Sequence, residues 1–200
     1  MKNIFALLLV LTLGALTTNA QTSWKVDVAH SKVSFTVSHM VISEVTGRFT
    51  DFDVMLAQPK DDFVGSTLTA TIKTGSINTD NAGRDKHLKS ADFFDAEKYP
   101  EMKFVSKSFE KTGKDTYKIT GDLTLHGITK SVTLDTKFNG QMSDPWGNIK
   151  AGFKATGSVN RKEFGIQWNK TLEAGGLLVG ENVDVVINVE MAKEKPESKK

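Results

Sequence analysis

Residues 117–138 read YKITGDLTLHGITKSVTLDTKF. On both sides of the pair His126-Gly127, apolar residues such as Ile119 and Leu134 alternate with lysine, threonine, serine and aspartate. Strict alternation is typical of a β-strand with one buried and one solvated face, and a glycine-containing pair between two such runs is typical of a turn. The stretch therefore predicts two strands joined by a tight turn, the repeating unit of an antiparallel sheet.

The same alternation continues in both directions along the chain. The further segments that show it are 33–38, 45–58, 67–72, 101–111, 153–159 and 183–190. Within 45–58 the apolar residues change from odd to even positions, which predicts a bulge or bend near Thr50-Asp51. The sequence thus predicts an all-β fold with eight antiparallel strands. We expect the strands to close into a barrel, since closure leaves no edge strand exposed; a sandwich is the alternative.

One segment, residues 76–104, interrupts the strands. Thr79 or Asp80 is a typical residue to cap a helix, and Pro100 prevents a helix from continuing. Residues at the helical spacing i, i+3, i+4 and i+7 share one face, and here they are Arg84, His87, Leu88 and Ala91. The segment predicts one short helical insertion that lies across the mouth of the barrel.

Both ends of the chain differ from this middle part. Residues 1–20 begin with a positive charge, continue with an apolar run at 4–16 and end in small residues, which is typical of a secretory signal peptide. A membrane anchor is the alternative, but the run is short for a membrane span. Residues 193–200 are mostly charged and are predicted to be a disordered tail. The sequence therefore predicts one barrel domain over residues 21–192 in a periplasmic or secreted protein.

Composition excludes several classes of protein. The chain has no cysteine, so disulfides, cysteine-based metal sites and a cysteine nucleophile are excluded. Its 26 Lys and Arg nearly balance its 24 Asp and Glu, which gives no reason to expect nucleic-acid binding. Neither the Gly-x-Ser-x-Gly pattern of hydrolases nor a nucleotide-binding glycine pattern occurs. Asp27, His30 and Ser31 have the residue types of a catalytic triad, but they lie too close together in one segment.

Seven short motifs follow one another along the chain. In order they read WxVDxxHS from Trp24, SHM from Ser38, GRF from Gly47, RDxHLxSxxFFD from Arg84, YPxMxF from Tyr99, GDLTLHGITK from Gly121 and NRKEFGI from Asn160. Their order resembles that of the YceI-like family over about residues 24–191. The resemblance implies an exported, lipocalin-like barrel that binds a long isoprenoid or another lipid-like chain, and it implies no established catalytic activity.

The alternation also predicts which residues face the barrel interior. Small inward residues at Ala70, Gly121, Ala155 and Gly157 favour a narrow apolar cavity; the alternative is that they only fit the taper of a packed barrel. The apolar residues predicted to line the cavity and bind a ligand tail are Phe35, Val37, Phe49, Leu68, Ile72, Phe104, Leu123, Leu134 and Phe153.

A set of polar and aromatic residues is predicted to form the rim of the cavity and to contact a ligand head group. They are His39, Arg84, His87, Leu88, Phe93 and Phe94. The alternative for the polar members is that Arg84, together with Asp85, ties the helix to the barrel by hydrogen bonds. The four histidines lack the spacing of a zinc site, so neither a metal ligand nor a catalytic residue is predicted.

These observations predict a binding or carrier protein, not an enzyme, for one long-chain amphiphile. By resemblance, the first choice of ligand is a polyisoprenoid or an isoprenoid quinone, and the second is a fatty acid or its amide. No cofactor is expected apart from the bound lipid or quinone. Two alternatives stay open: an exported enzyme that acts on lipid, and a ligand-free structural or stress protein with a solid core. The expected partners are the lipid and, transiently, a membrane, and the chain is expected to be a monomer or a homodimer.

Overall fold

The computed structural model describes residues 21–173 and 175–195. The predicted signal peptide at 1–20 and residues 196–200 of the predicted tail lie outside the described residues. The strands are β1 (Thr22–His39), β2 (Ser43–Phe49), β3 (Phe52–Gln58), β4 (Thr67–Lys73), β5 (Ile77–Asn78), β6 (Glu101–Lys111), β7 (Thr116–Leu125), β8 (Ile128–Ser143), β9 (Ile149–Asn160) and β10 (Val179–Lys193). The helices are α1 (Ala82–Lys89) and two 3₁₀ turns, Thr74–Ser76 and Arg161–Phe164.

Pairing between the first and last strands closes the sheet into a barrel. Around the barrel the neighbours are β10, β9, β8, β7, β6, β4, β3 and β1, and β1 pairs with β10. β2 pairs with the second half of β1 and β3 with its first residues, so β2 and β3 form one wall strand that bends at Thr50-Asp51. The predicted eight-stranded antiparallel barrel and the predicted bend are both confirmed.

The helix forms where the sequence predicts it, but its cap is a different residue. Asn81 is the N-cap, and its side chain accepts a hydrogen bond from the backbone N–H of Arg84 (2.9 Å). The predicted cap at Thr79 or Asp80 is wrong for a local reason. Asp80 adopts a left-handed backbone conformation (φ 58°), and the hydroxyl of Thr79 donates to Asp85 instead.

The apolar face of the helix is shorter than predicted. α1 ends at Lys89, where the hydroxyl and the N–H of Ser90 both donate to the carbonyl of His87. Ala91 lies beyond the helix and is exposed, so its assignment to the helical face is wrong. None of the helices in the described ranges combines the length and the apolar character needed to cross a membrane.

The two ends of the barrel carry different connections. At one end, the mouth, lie the β1–β2 turn, the segment 74–100 with α1, the β7–β8 turn and the segment 161–178. At the other end, the base, lie the β3–β4, β6–β7 and β8–β9 connections. The helical insertion therefore belongs to the mouth, as predicted.

An aromatic cluster closes the base. Phe63, in the β3–β4 connection, is buried, and its ring centroid lies 5.1 Å from that of Phe153 and 5.2 Å from that of Phe138. Trp24 packs against the same ring at 6.1 Å, and its indole Nε1 donates a hydrogen bond to Gln58 (2.7 Å). Phe63 thus serves as a plug that fills the barrel at this end.

Replacing the plug tests how much of the stability lies at the base. Phe63→Ala removes a buried ring that packs against four other rings, so we expect the free energy of unfolding to fall by about 3–5 kcal/mol. Urea unfolding followed by circular dichroism measures this loss. Trp146→Ala, at an exposed position in the β8–β9 connection, is the control and should change the stability by less than about 0.5 kcal/mol. A similar small loss for Phe63→Ala would show that the base does not depend on the plug.

Candidate functional site

Three cavities lie in succession between the mouth and the base of the barrel. The mouth cavity, of about 170 Å³, includes His39, Arg84, His87 and Trp168 in its wall. The middle cavity, of about 140 Å³, includes Phe94, Leu125 and Arg161. The basal cavity, of about 160 Å³, includes Leu68, Ala70, Ala155 and Met191.

Neighbouring cavities share parts of their walls. Phe35, Val37 and Leu88 line both the mouth cavity and the middle cavity. Met102 and Leu123 line both the middle cavity and the basal cavity. Met102, a flexible side chain, lies at the boundary between the two deeper cavities. The three cavities therefore adjoin one another from the mouth to the base, and we call this succession the path.

The character of the wall changes along this path. Thr136 is the polar residue of the basal wall, and its buried hydroxyl has no hydrogen-bond partner among the described residues. The middle wall is apolar apart from Arg161. The mouth wall, in contrast, contains a serine, two histidines and an arginine. A ligand that matches this path has a polar group at one end and a long apolar tail.

All nine residues predicted to line the cavity lie in a cavity wall. The middle cavity is lined by Phe35, Val37 and Phe49. The basal cavity is lined by Leu68, Ile72, Phe104, Leu134 and Phe153, and Leu123 lines both cavities. Their position follows from the period of two along each strand, which the closed barrel preserves. Their contact with a ligand stays a prediction.

The inward glycines contribute less to the cavity than their size suggests. A Cβ atom on Gly157 would lie 2.7 Å from Leu134 Cδ2, and one on Gly121 would lie 2.6 Å from Phe104 Cζ. Neighbouring side chains already fill the space over these glycines, as the alternative of a packed taper expects. Ala155, like Ala70, does line the basal cavity. The open space therefore depends on the alanines rather than on the glycines.

The predicted rim residues lie around the upper part of the path. His39, Arg84 and His87 line the mouth cavity, Leu88 and Phe93 line the mouth and middle cavities, and Phe94 lines the middle cavity. Phe94 packs edge-on against Phe49 of the wall, with ring centroids 5.7 Å apart. These contacts seat the helical insertion on the barrel.

Arg84 braces the helical insertion and also faces the mouth cavity. Its Nε donates to the hydroxyl of Thr79 and its Nη2 to the carbonyl of Thr79, both at 2.8 Å. Asp85 accepts hydrogen bonds from the N–H (2.8 Å) and the hydroxyl (2.5 Å) of the same threonine. The sequence left open whether Arg84 braces the helix or binds a ligand. The bracing hydrogen bonds are present, and the guanidinium still lines the cavity.

His87 is held between an acid and two aromatic rings. Its Nε2 lies 2.8 Å from a carboxylate oxygen of Asp92. Its ring packs edge-on against Phe93 and Trp168, with centroids 5.0 and 4.9 Å apart. The imidazole is therefore fixed in the mouth wall rather than free to rotate.

Two residues of the site, Arg161 and Trp168, are not among the residues predicted to line the cavity or its rim. Arg161 is buried, with 5% of its surface exposed, and donates hydrogen bonds to the carbonyls of Gly180 (2.8 Å), Ile166 (2.9 Å) and Trp168 (2.9 Å). Burial lowers the pKa of its guanidinium from the ordinary value. Arg161 and Trp168 both belong to the β9–β10 connection, whose path the alternation does not describe. The NRKEFGI motif that contains Arg161 was the one available signal.

A polar cluster on the outer wall lies apart from the cavities. Asp27, His30 and Glu190 bring three ligand-type groups within 4.8 Å of one another. The sequence argued against convergence of the histidines on such a site, but a bulge in β1, where residues 28–31 stand opposite Val189, turns His30 toward Asp27 (3.2 Å).

Lys150 supplies the positive charge of this outer cluster. Its Nζ lies 2.7 Å from Asp27 Oδ2 and 3.1 Å from Glu190 Oε1. The hydrogen bond from Lys150 holds the pKa of Asp27 below its usual range, against the opposing effect of burial, and the same bond raises the pKa of Lys150. The ammonium group already pairs with both carboxylates, so the geometry supports an ion-pair network rather than a cation site.

Comparison with known proteins agrees with the fold and with the motifs. The model of the YceI-like domain family matches residues 24–191. A UPF0312 protein of Pseudomonas putida strain W619 is 42% identical over 166 residues, which is 83% of each chain. The crystal structure of the Campylobacter jejuni YCEI protein superposes with a TM-score of 0.67 at 35% identity, covering 80% of this chain and 90% of that one. The chain belongs to the YceI-like domain family.

A solved structure of lower sequence identity is also similar to this chain, and its description names the ligand that it binds. A polyisoprenoid-binding domain from Saccharophagus degradans, implicated in plant cell wall breakdown, superposes with a TM-score of 0.59. It is 14% identical to this chain and covers 86% of it, and 98% of that domain is covered in turn. At this identity the likeness shows a shared fold.

The ion-pair network of the outer wall predicts a pH dependence of stability. Because the pKa of Asp27 is lowered in the folded state, its contribution is present above the unfolded value of about 3.9 and is lost as the pH falls through the folded pKa. We expect Asp27→Asn to lower Tm by about 2 °C at pH 7, and the difference from the parent to shrink below about pH 4. Thermal unfolding between pH 2 and 7 measures both.

Asp53→Asn is the matched control for this measurement, because Asp53 is exposed and forms no ion pair within the described residues. Its Tm should follow that of the parent at every pH. A Tm difference for Asp27→Asn that stays constant down to pH 2 would show that the effect is not electrostatic.

Proposed function

We propose that this protein is a binding and carrier protein for one amphiphile with a long apolar tail. The observation that carries the proposal is the path of three adjoining cavities, whose polar side chains are concentrated at the mouth and whose deeper walls are almost wholly apolar. A solid-core protein has no use for such a path, because empty space in a core lowers stability.

The ligand class follows from the shape of the path and from the likeness to known proteins. A narrow path that extends from rim to base suits a single unbranched or methyl-branched chain better than a compact molecule. The Saccharophagus degradans domain of the same fold is a polyisoprenoid-binding domain by its description. We therefore propose a polyisoprenoid or an isoprenoid quinone as the first ligand class, with fatty acids and their amides second.

The orientation of the ligand follows from the distribution of polar groups. The tail would occupy the basal and middle cavities, where the wall is apolar apart from Thr136 and Arg161. The head group would lie at the mouth, near His39, Arg84 and His87. A quinone carbonyl or a phosphate accepts hydrogen bonds, and the guanidinium of Arg84 can donate them, whereas Nε2 of His87 is already hydrogen-bonded to Asp92.

Thermodynamics favours transport over permanent storage. Burying each CH₂ group away from water is worth about 0.8 kcal/mol, but the competitor for such a lipid is a bilayer of similar apolarity. Transfer from membrane to barrel is therefore close to neutral in free energy, and tail length and head-group contacts decide the balance. A carrier that loads and releases requires this near-neutrality. We propose that it acts without catalysis in the periplasm or outside the cell, as residues 1–20 suggest.

The first test identifies the ligand. Protein purified from its native host, extracted with organic solvent and analysed by mass spectrometry, should yield one stoichiometric long-chain isoprenoid. Extraction of no lipid, or of mixed membrane lipids in substoichiometric amount, would contradict the proposal.

The second test blocks the basal cavity. Ala155→Phe places a ring in the basal cavity, so we expect the bound isoprenoid to fall at least tenfold while the barrel stays folded, with a loss of about 1–3 kcal/mol from overpacking. Thr156→Phe is the matched control, since this adjacent side chain is exposed and should leave binding unchanged. Gly157 is less suitable, because a Cβ there already meets the backbone carbonyl of Thr133 at 3.1 Å. Undiminished binding by folded Ala155→Phe would place the tail elsewhere.

The third test treats the helical insertion as the lid of the path. Leu88→Ala combined with Phe93→Ala removes two of the apolar side chains by which the insertion contacts the cavity walls, so lipid release should speed up by about tenfold or more. Stopped-flow transfer of a fluorescent polyprenyl analogue to vesicles measures the rate. Lys86→Ala, on the exposed side of α1, is the control and should leave the rate unchanged. Equal release rates for all three proteins would show that lipid enters by another route.

A further inference from the structure

Three successive apolar residues form the turn between β1 and β2. The exposed fractions of Met40, Val41 and Ile42 are 41%, 72% and 86%. Single exposed apolar residues are common on protein surfaces, but an exposed run of three usually marks a contact surface. We call these three residues the apolar tip.

The backbone of the apolar tip is held in an unfavourable conformation. Met40 has φ 53° and Val41 has φ 68°, in the left-handed region. Glycine and asparagine adopt this region readily, whereas a β-branched residue rarely does. The apolar tip thus combines an unfavourable backbone conformation with apolar side chains exposed to water. This combination is typical of functional positions.

Contacts fix the apolar tip beside the mouth cavity. The N–H of Met40 donates to the carbonyl of Leu178 (2.9 Å), and Leu178 lines the mouth cavity. Val41 lies against Gly176, where an added Cβ would come within 3.2 Å of the valine Cγ2. His39, which precedes the tip, is itself part of the mouth wall. The tip is therefore a fixed part of the rim.

The size and charge of this surface indicate what it contacts. Three side chains cannot supply the roughly 1,000 Å² that a stable protein interface buries, but they suffice for shallow insertion into the interfacial region of a bilayer. The neighbouring exposed charges, Glu44 on one side and Lys170 and Glu173 on the other, have mixed signs. The contact should therefore be apolar in origin and should not require anionic lipid.

We propose that the apolar tip inserts into a lipid bilayer and thereby holds the mouth cavity at the membrane surface. The inference rests on the proposed function only for the identity of the cargo, which would pass between the bilayer and the adjoining mouth cavity. The membrane contact itself requires no bound cargo.

Flotation with phosphatidylcholine vesicles tests the proposal. The parent protein should float with the vesicles at both low and high salt. The variant Val41→Asn combined with Ile42→Ser should bind the vesicles at least about tenfold more weakly. Because asparagine fits the left-handed backbone, the Tm of this variant should equal or exceed that of the parent, which separates lost binding from lost folding. Absence of vesicle binding by the parent, or undiminished binding by the variant, overturns the proposal.

Fluorescent labelling locates the contact on the molecule. Since the chain contains no cysteine, Ile42→Cys and Trp146→Cys each provide a single site for an environment-sensitive dye. Trp146 is the matched control at the base, with an exposed fraction of 82%. Vesicles should shift the emission to shorter wavelength, and brominated lipid should quench it, for the label at position 42 only. A shift at position 146 of equal or greater size contradicts the proposed orientation.

Further results distinguish the membrane contact from dimerisation through the tip and from the proposed binding of isoprenoid. If the parent is a dimer in sedimentation experiments and the tip variant is a monomer, the tip binds a second copy of the chain, and the membrane proposal is wrong. If vesicle binding depends on the tip but the purified protein carries no isoprenoid, the proposed cargo fails and the membrane contact stands. If the purified protein carries isoprenoid but does not bind vesicles, the membrane contact fails and the proposed cargo stands.

Discussion

The pairing of β1 with β10 is the interaction on which the rest of the structure depends. It extends from Trp24 to His39 and turns a meander of antiparallel strands into a closed wall. Once the wall is closed, every second side chain of each strand is enclosed, whatever its neighbours along the chain. The same strands left open would expose that apolar face and need a second layer to cover it. Closure therefore produces the hydrophobic core and the candidate binding path together.

The interior is filled unevenly along the axis of the barrel. At the base, Phe63 packs among Trp24, Phe138 and Phe153. Above this plug, Ala70 and Ala155 line the basal cavity, where larger residues would fill the space. Close packing is the usual state of a protein interior. Because the barrel is packed at the base and has cavities toward the mouth, a ligand in it would have a defined orientation. The polar groups at the mouth agree with that direction.

The regular part of this molecule could be predicted from the sequence, and the irregular part could not. The period of two placed Phe35, Leu68 and Leu134 inside the barrel, because a strand has no other way to arrange its side chains. Phe63 and Arg161 lie in connections, where no periodicity applies. His30 faces Asp27 only because a bulge in β1 breaks the alternation. Asn81 became the helix cap because Asp80 adopts a left-handed conformation that propensity alone does not predict.

The way the helical insertion is held suits a moving lid better than a fixed plug. Its charged hydrogen bonds, from Arg84 to Thr79, from Thr79 to Asp85 and between His87 and Asp92, all lie within the segment 79–92. They brace the insertion internally and would stay intact if it moved as a unit. The ion pair that links the start of this segment to the wall, between Arg48 and Asp80, is exposed and therefore weak. What remains is apolar contact with the cavity walls, which a lipid tail entering the path can replace at little cost in free energy. The segment that covers the path is thus held by the kind of contact that the proposed ligand would itself provide.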